Sequence, residues 1–67
     1  MSKNATILHE LLIMNGYHPV DVWYHLIVPG IGNWWAEMEN GDEYHLGREY
    51  SEAKQNIENK TIKLDNG

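Results

Sequence analysis

Four histidines, His9, His18, His25 and His45, have the widest chemical range in this 67-residue chain. Imidazole is the commonest metal ligand, so a histidine-rich chain raises the question of a metal site. His25 and His45 are expected on neighbouring strands, on either side of the small Ala36 and near Glu43. Two imidazoles and one carboxylate fall short of a full ligand set, and the close ligand spacings of a zinc site are missing. No metal or other cofactor is expected, and the histidines read better as polar members of a binding surface.

Nucleophiles are scarce. The chain has no cysteine and only two serines, Ser2 beside the terminus and Ser51 where a helix starts. Serine and cysteine schemes therefore lack an attacking group. Carboxylates occur in pairs, Glu37 with Glu39 and Asp42 with Glu43, but they cluster around a hairpin tip. Pro29-Gly30-Ile31-Gly32 is a turn with no Lys or Ser/Thr after it, which is not the pattern of a phosphate loop. A non-enzymatic protein is expected.

Ten acidic against five basic residues give a net charge of −5. That sign repels phosphate backbones and favours cationic partners or plain solubility. A chain this short forms one domain, 1–67, and buries only about 60% of its unfolded surface. Without disulfides, its stability rests on good packing or self-association, to which three Trp and four Tyr bring large apolar area. The first residues, MSKNATILHELLIM, lack the pattern of a signal peptide, and His9 and Glu10 interrupt any membrane segment. The expected location is the cytoplasm, where the sequons Asn4-Ala5-Thr6 and Asn59-Lys60-Thr61 are chance matches.

Two helices and three strands must position these residues. Asn4 or Thr6 can cap a first helix whose stripe is Ile7, Leu8, Leu11, Leu12 and Met14, with a stop at Gly16. Pro19 breaks the helical pattern. Val20 to Tyr50 then reads as three β-rich runs separated by Pro29-Gly30, with type II turn chemistry, and Asn40-Gly41, a type I′ hairpin signal. Ser51 can cap a second helix with Tyr50, Ala53 and Ile57 on its inner face. Thr61 to Leu64 alternates as a short edge strand, and Asp65-Asn66-Gly67 should fray. The fold class is α+β: a three-stranded antiparallel meander with an N-terminal and a C-terminal helix on one face, α-β-β-β-α, and a short C-terminal edge strand.

The turns predict a register. A four-residue loop at 29–32 sets Tyr24 opposite Glu37, and a two-residue Asn40-Gly41 loop sets Glu37 opposite Tyr44. One face then holds Val22, Tyr24, Leu26, Val28, Trp35, Tyr44, Leu46 and Arg48, the side the helices should cover. The other holds Trp23, His25, Ile27, Trp34, Ala36, Met38, Glu43 and His45. Trp35 is thus expected in the core and Trp34 as the exposed anchor. The candidate protein-binding residues are Trp23, His25, Ile27, Trp34, Met38, Asp42, Glu43 and His45, because a contiguous exposed aromatic patch marks an interaction surface.

The α-β-β-β-α order is similar to that of a double-stranded-RNA-binding domain, and Ala53-Lys54 in the last helix resembles part of that family's pattern. The resemblance implies duplex RNA as a partner. The family's lysine cluster at the start of this helix is replaced by Ser51 and Glu52, leaving Lys54 alone to grip phosphate. A Trp-bearing hairpin followed by Tyr-Ser-Glu-Ala-Lys also looks like many small phage and mobile-element proteins. The function expected first is protein binding, as an inhibitor or accessory factor or as a homodimer, with nucleic acid as the alternative.

Overall fold

Helix α1 (Lys3–Met14) begins where Ser2 can cap it. The Ala5 N–H donates to Ser2 Oγ at 3.1 Å, so the cap is Ser2, and the expected caps Asn4 and Thr6 lie within the first turn. The helix ends as expected at Asn15-Gly16. Gly16 takes φ 91°, its N–H bonds Ile13 O at 3.1 Å, and the Tyr17 N–H bonds Leu12 O at 3.0 Å. These two bonds make a Schellman stop, which needs a residue free to turn left-handed. The computed structural model describes residues 1–65, so Asn66 and Gly67, expected to fray, lie outside the described residues.

Strands β1 (Pro19–Val28), β2 (Ile31–Met38) and β3 (Glu43–Gly47) form the antiparallel meander, followed by α2 (Tyr50–Asn59) and the short β4 (Lys63–Leu64). The sheet order is β1-β2-β3-β4, which is the expected architecture with the expected C-terminal edge strand. Asp65 continues it, its N–H bonding Glu43 O at 2.8 Å, so fraying does not begin there. Among the described residues, no helix is long and apolar enough to cross a membrane. Helix α2 starts one residue before the expected cap Ser51. Its N-cap is Glu49, without a side-chain cap bond, while Glu52 reaches back to accept the Arg48 N–H at 3.0 Å.

Both hairpin turns differ in length from the expectation, and together with a bulge at Ile27 this resets the register. Pro29-Gly30 is a two-residue connection with Gly30 at φ 80°, as a type II turn requires, and Val28 pairs with Ile31. At the second turn the loop is Glu39-Asn40-Gly41. Gly41 takes φ 90° and bonds Met38 O at 2.9 Å, while the Met38 N–H bonds Asp42 O at 2.8 Å. This is a three-residue loop closed by a left-handed glycine, in which Asn40 keeps an ordinary negative φ. Tyr24 therefore faces Trp34, and Glu37 faces Glu43. Both shifts are odd, so β2 is inverted relative to the expectation while β1 and β3 keep their faces.

Trp34 and Met38 are thereby corrected from exposed to buried, at 7% and 6% exposure, together with Ala36. Trp35 is corrected from core to the open face, where it is half-buried. The helices cover the expected aliphatic side. Ala5, Leu8 and Leu12 of α1 and Ala53 and Ile57 of α2 pack on Val22, Trp34, Ala36, Met38 and Leu46. Ile7 and Met14, expected on the α1 stripe, are exposed, because the helix is rotated to centre Ala5, Leu8 and Leu12 on the sheet. The Trp34 ring lies 5.1 Å from Tyr24 and 6.4 Å from Tyr50, both within the edge-on range of aromatic pairs. Asn56 ties α2 to the sheet, its Nδ2 donating to Leu46 O at 2.7 Å.

Two outcomes follow from this packing. Trp34→Ala should cost about 3–5 kcal/mol and unfold so small a domain, whereas Trp35→Ala should cost roughly 1 kcal/mol, the scale of a cross-strand pair. Thermal melts of the two variants check the order, and a harmless Trp34→Ala would refute the register. Gly32→Ala should cost about 1–3 kcal/mol by overpacking, because a Cβ there would sit 2.5 Å from the Tyr24 ring and 2.6 Å from His25 O. Urea unfolding of this variant, compared with Gly30→Ala where no atom crowds the added Cβ, separates crowding from the turn's need for positive φ.

Candidate functional site

Because both helices lie on one side, the other face of the sheet has no covering element among the described residues. Its middle row runs across all four strands as Trp23, Trp35, His45 and Lys63. Trp23 and Trp35 are directly opposed, and Trp35 lies 5.0 Å from the His45 ring at an interplanar angle of 60°. His45 Nε2 is 2.8 Å from Asn33 Oδ1, a hydrogen bond that fixes the imidazole over the sheet. Trp23, Asn33, Trp35 and His45 are all half-buried, so a rigid aromatic platform remains partly in contact with water.

One row towards the Asn40 hairpin, Asp21 pairs with Glu37 and Glu37 pairs with Glu43. Directly opposed carboxylates destabilise a sheet, so this row is unfavourable for folding by itself. On the far side of the platform, His25 faces Asn33. Beyond it the β1–β2 arm runs past the helices and exposes Leu26, Ile27, Val28 and Ile31. The surface thus grades from acidic through aromatic to aliphatic along the strand direction.

Of the eight expected binding residues, Trp23, His25, Glu43 and His45 are brought together on this face. Ile27 is the extra residue of a bulge in β1 and is 58% exposed at the arm. Asp42 lies in the hairpin connection, its N–H bonding Asn40 Oδ1 at 3.0 Å and its carboxylate accepting from Asn40 Nδ2 at 3.1 Å. Trp34 and Met38 are on the opposite side and belong to the core. The expectation missed Asp21, Asn33, Trp35, Glu37 and Lys63. A three-residue reading of the Asn40-Gly41 loop would have recovered Asn33, Trp35 and Glu37, since it restores their parity with Glu43 and His45.

His25 and His45 do not flank Ala36, which is buried in the core; they lie to either side of Asn33 and Trp35. Among the described residues, no three His, Asp or Glu side chains come together in a group that could hold a metal ion. The arrangement offers stacking surface, a row of negative charge and a pinned imidazole, which are the means of recognising a cationic surface with exposed apolar groups. No protein-family model, no curated protein and no solved structure matches the chain.

Proposed function

We propose that this chain is a non-enzymatic protein-binding module whose contact surface is the open, acidic and aromatic face of the sheet. The observation that carries the reading is the row of opposed carboxylates, Asp21, Glu37 and Glu43, beside the uncovered Trp23–Trp35–His45 stripe. Natural sheets separate like charges across strands unless something else benefits from them. A cationic partner neutralises this row, and Trp23 and Trp35 supply the rigid aromatic area in which interface energy concentrates. A small cytoplasmic inhibitor or accessory factor, of the kind phages and mobile elements encode, fits this size and charge.

What weighs against duplex RNA is the placement of the five basic residues, Lys3, Arg48, Lys54, Lys60 and Lys63. Lys54 Nζ lies 5.6 Å from the centre of the Tyr50 ring, and Lys60 Nζ donates to Asn15 O at 3.2 Å. Lys54 is held against its own helix and Lys60 reaches across to the end of α1, and phosphate binding draws most of its affinity from clustered cations.

The test is capture of partners from a host lysate by the wild-type protein, with Trp35→Ala and Glu37→Lys beside it. For the captured partner, Trp35→Ala should weaken binding by about 2 kcal/mol, as the loss of an aromatic hot spot does. Glu37→Lys should slow association and flatten its salt dependence. Equal capture by all three proteins would remove the open face from the reading. Binding of duplex RNA at low salt, lost in Lys54→Glu, would replace it with the nucleic-acid alternative.

A further inference from the structure

The two edges of the sheet are unequal. β4 is two residues long, whereas β1 runs for ten, and among the described residues no strand pairs with its outer side. Which β1 residues point outward follows from β2, which has no bulge of its own. The Glu39 N–H donates to His18 O on the β1 side at 2.8 Å, and the Met38 N–H donates to Asp42 O on the β3 side at 2.8 Å. Backbone groups alternate along a strand, so the odd residues of β2 bond β1 and the even ones bond β3. Asp21, Trp23 and His25 are the β1 partners of those odd residues. Val22, Tyr24 and Leu26 therefore present their N–H and C=O groups to the free edge. The Val22 N–H shows this directly, since it is met by Asp21 Oδ1 at 2.9 Å.

We infer that β1 pairs antiparallel with β1 of a second copy of this chain, about a two-fold axis through Trp23. This inference stands on the edge and not on the proposed partner of the open face. A strand that pairs with itself must be complementary to its own reverse, and only this axis makes β1 so. Asp21 of one copy then lies opposite His25 of the other, carboxylate against imidazole. Val22 lies opposite Tyr24 and exchanges both backbone bonds with it. Leu26, 56% exposed, meets the bulged Val20, 53% exposed. An axis at Val22 would put Asp21 against Trp23, and one at Tyr24 would put it against Ile27, each leaving the carboxylate without a partner.

Asp21 has two roles here. In the single chain its carboxylate occupies the outward Val22 donor, a guard of the sort that keeps edges from indiscriminate pairing. On pairing, the second copy's Tyr24 carbonyl takes that donor and Asp21 turns to His25. Because the contact is isologous and the β4 edge is short, association closes at two copies and does not propagate. The product is one eight-stranded sheet in which the two Trp23 side chains meet and the two aromatic stripes become continuous.

The test is sedimentation velocity of the full chain from micromolar to millimolar concentration, with far-UV circular dichroism and thermal melts confirming each fold. Wild type should pass from monomer to dimer without larger species. Leu26→Lys, Asp21→Lys and His25→Glu should each raise the dimer dissociation constant by about tenfold or more, the scale of one lost interface contact. The double variant Asp21→Lys with His25→Glu restores opposite charges across the axis and should recover most of that loss. A monomer at every concentration overturns the inference. So does a dimer that ignores Leu26→Lys, or a double variant no better than its parents. Trp35→Ala should remain dimeric, which separates failure of this contact from failure of the open-face reading.

Discussion

The structure depends on the Trp34 ring being held between Tyr24 of β1 and Tyr50 of α2. With ring centres 5.1 and 6.4 Å away, it links one outer strand, the central hairpin and the second helix through a single side chain. A chain of 67 residues without disulfides has few such links to spare. The contact also explains the chain around it. Tyr24 lies across Gly32 so closely that no side chain fits there, and Gly32 is buried as a result. Gly47 has the matching role at the other end, where an added Cβ would come within 2.9 Å of the Ala53 N. Strand β3 can stop and α2 can begin against it because that position is bare.

Around Trp34 the irregularities fall in the neighbouring strands. Bulges lie in β1 at Val20 and Ile27 and in β3 at Leu46, while β2 remains regular over its length. A bulge adds twist and lets a strand bend around a packed face. β2 thus acts as the straight member that carries Trp34, Ala36 and Met38 inward at every second position. The same alternation forces Asn33, Trp35 and Glu37 outward. The composition of the open face is therefore a consequence of building the core and not an independent feature.

Two short helices can cover one face of this sheet and no more. α1 brings Ala5, Leu8 and Leu12, and α2 brings Ala53 and Ile57, all fully or almost fully buried. Their far ends are joined where Lys60 donates to Asn15 O, a cation placed at the C-terminal end of α1 where the dipole favours it. Lys60 itself takes φ 58°, a strained position for a side-chain-bearing residue, and the Thr61 N–H closes the helix on Asn56 O at 2.8 Å. The helix pair is thus joined at its C-terminal ends, and the aromatic face opposite is left uncovered by either helix.

The α-β-β-β-α order, the boundaries of α1 near Gly16, the turns at Pro29-Gly30 and Asn40-Gly41, and the inner faces of β1 and α2 were legible in the sequence. Each rests on a local signal: helical spacing, strand composition, or a glycine needed at positive φ. The caps were legible only in kind, since Ser2, Asn4 and Thr6 are chemically interchangeable there, and so were Glu49 and Ser51 as places to begin a helix. What the sequence could not decide was the face of β2. Nothing local marks Ile27 as the extra residue of a bulge, and Asn40-Gly41 is compatible with a connection of two or three residues. A difference of one residue reverses every side chain of the strand. Trp34 and Trp35 are identical in type and adjacent, so composition has no preference between them. The choice was made by volume in three dimensions: Trp34 fits between Tyr24 and Tyr50 over Ala36 and Gly32. Among the described residues, the core it completes holds no charged side chain, and the inversion carries Glu37 to the open face, where it is half-buried. Local chemistry determined the elements of this protein, and only their packing decided which tryptophan became core and which became surface.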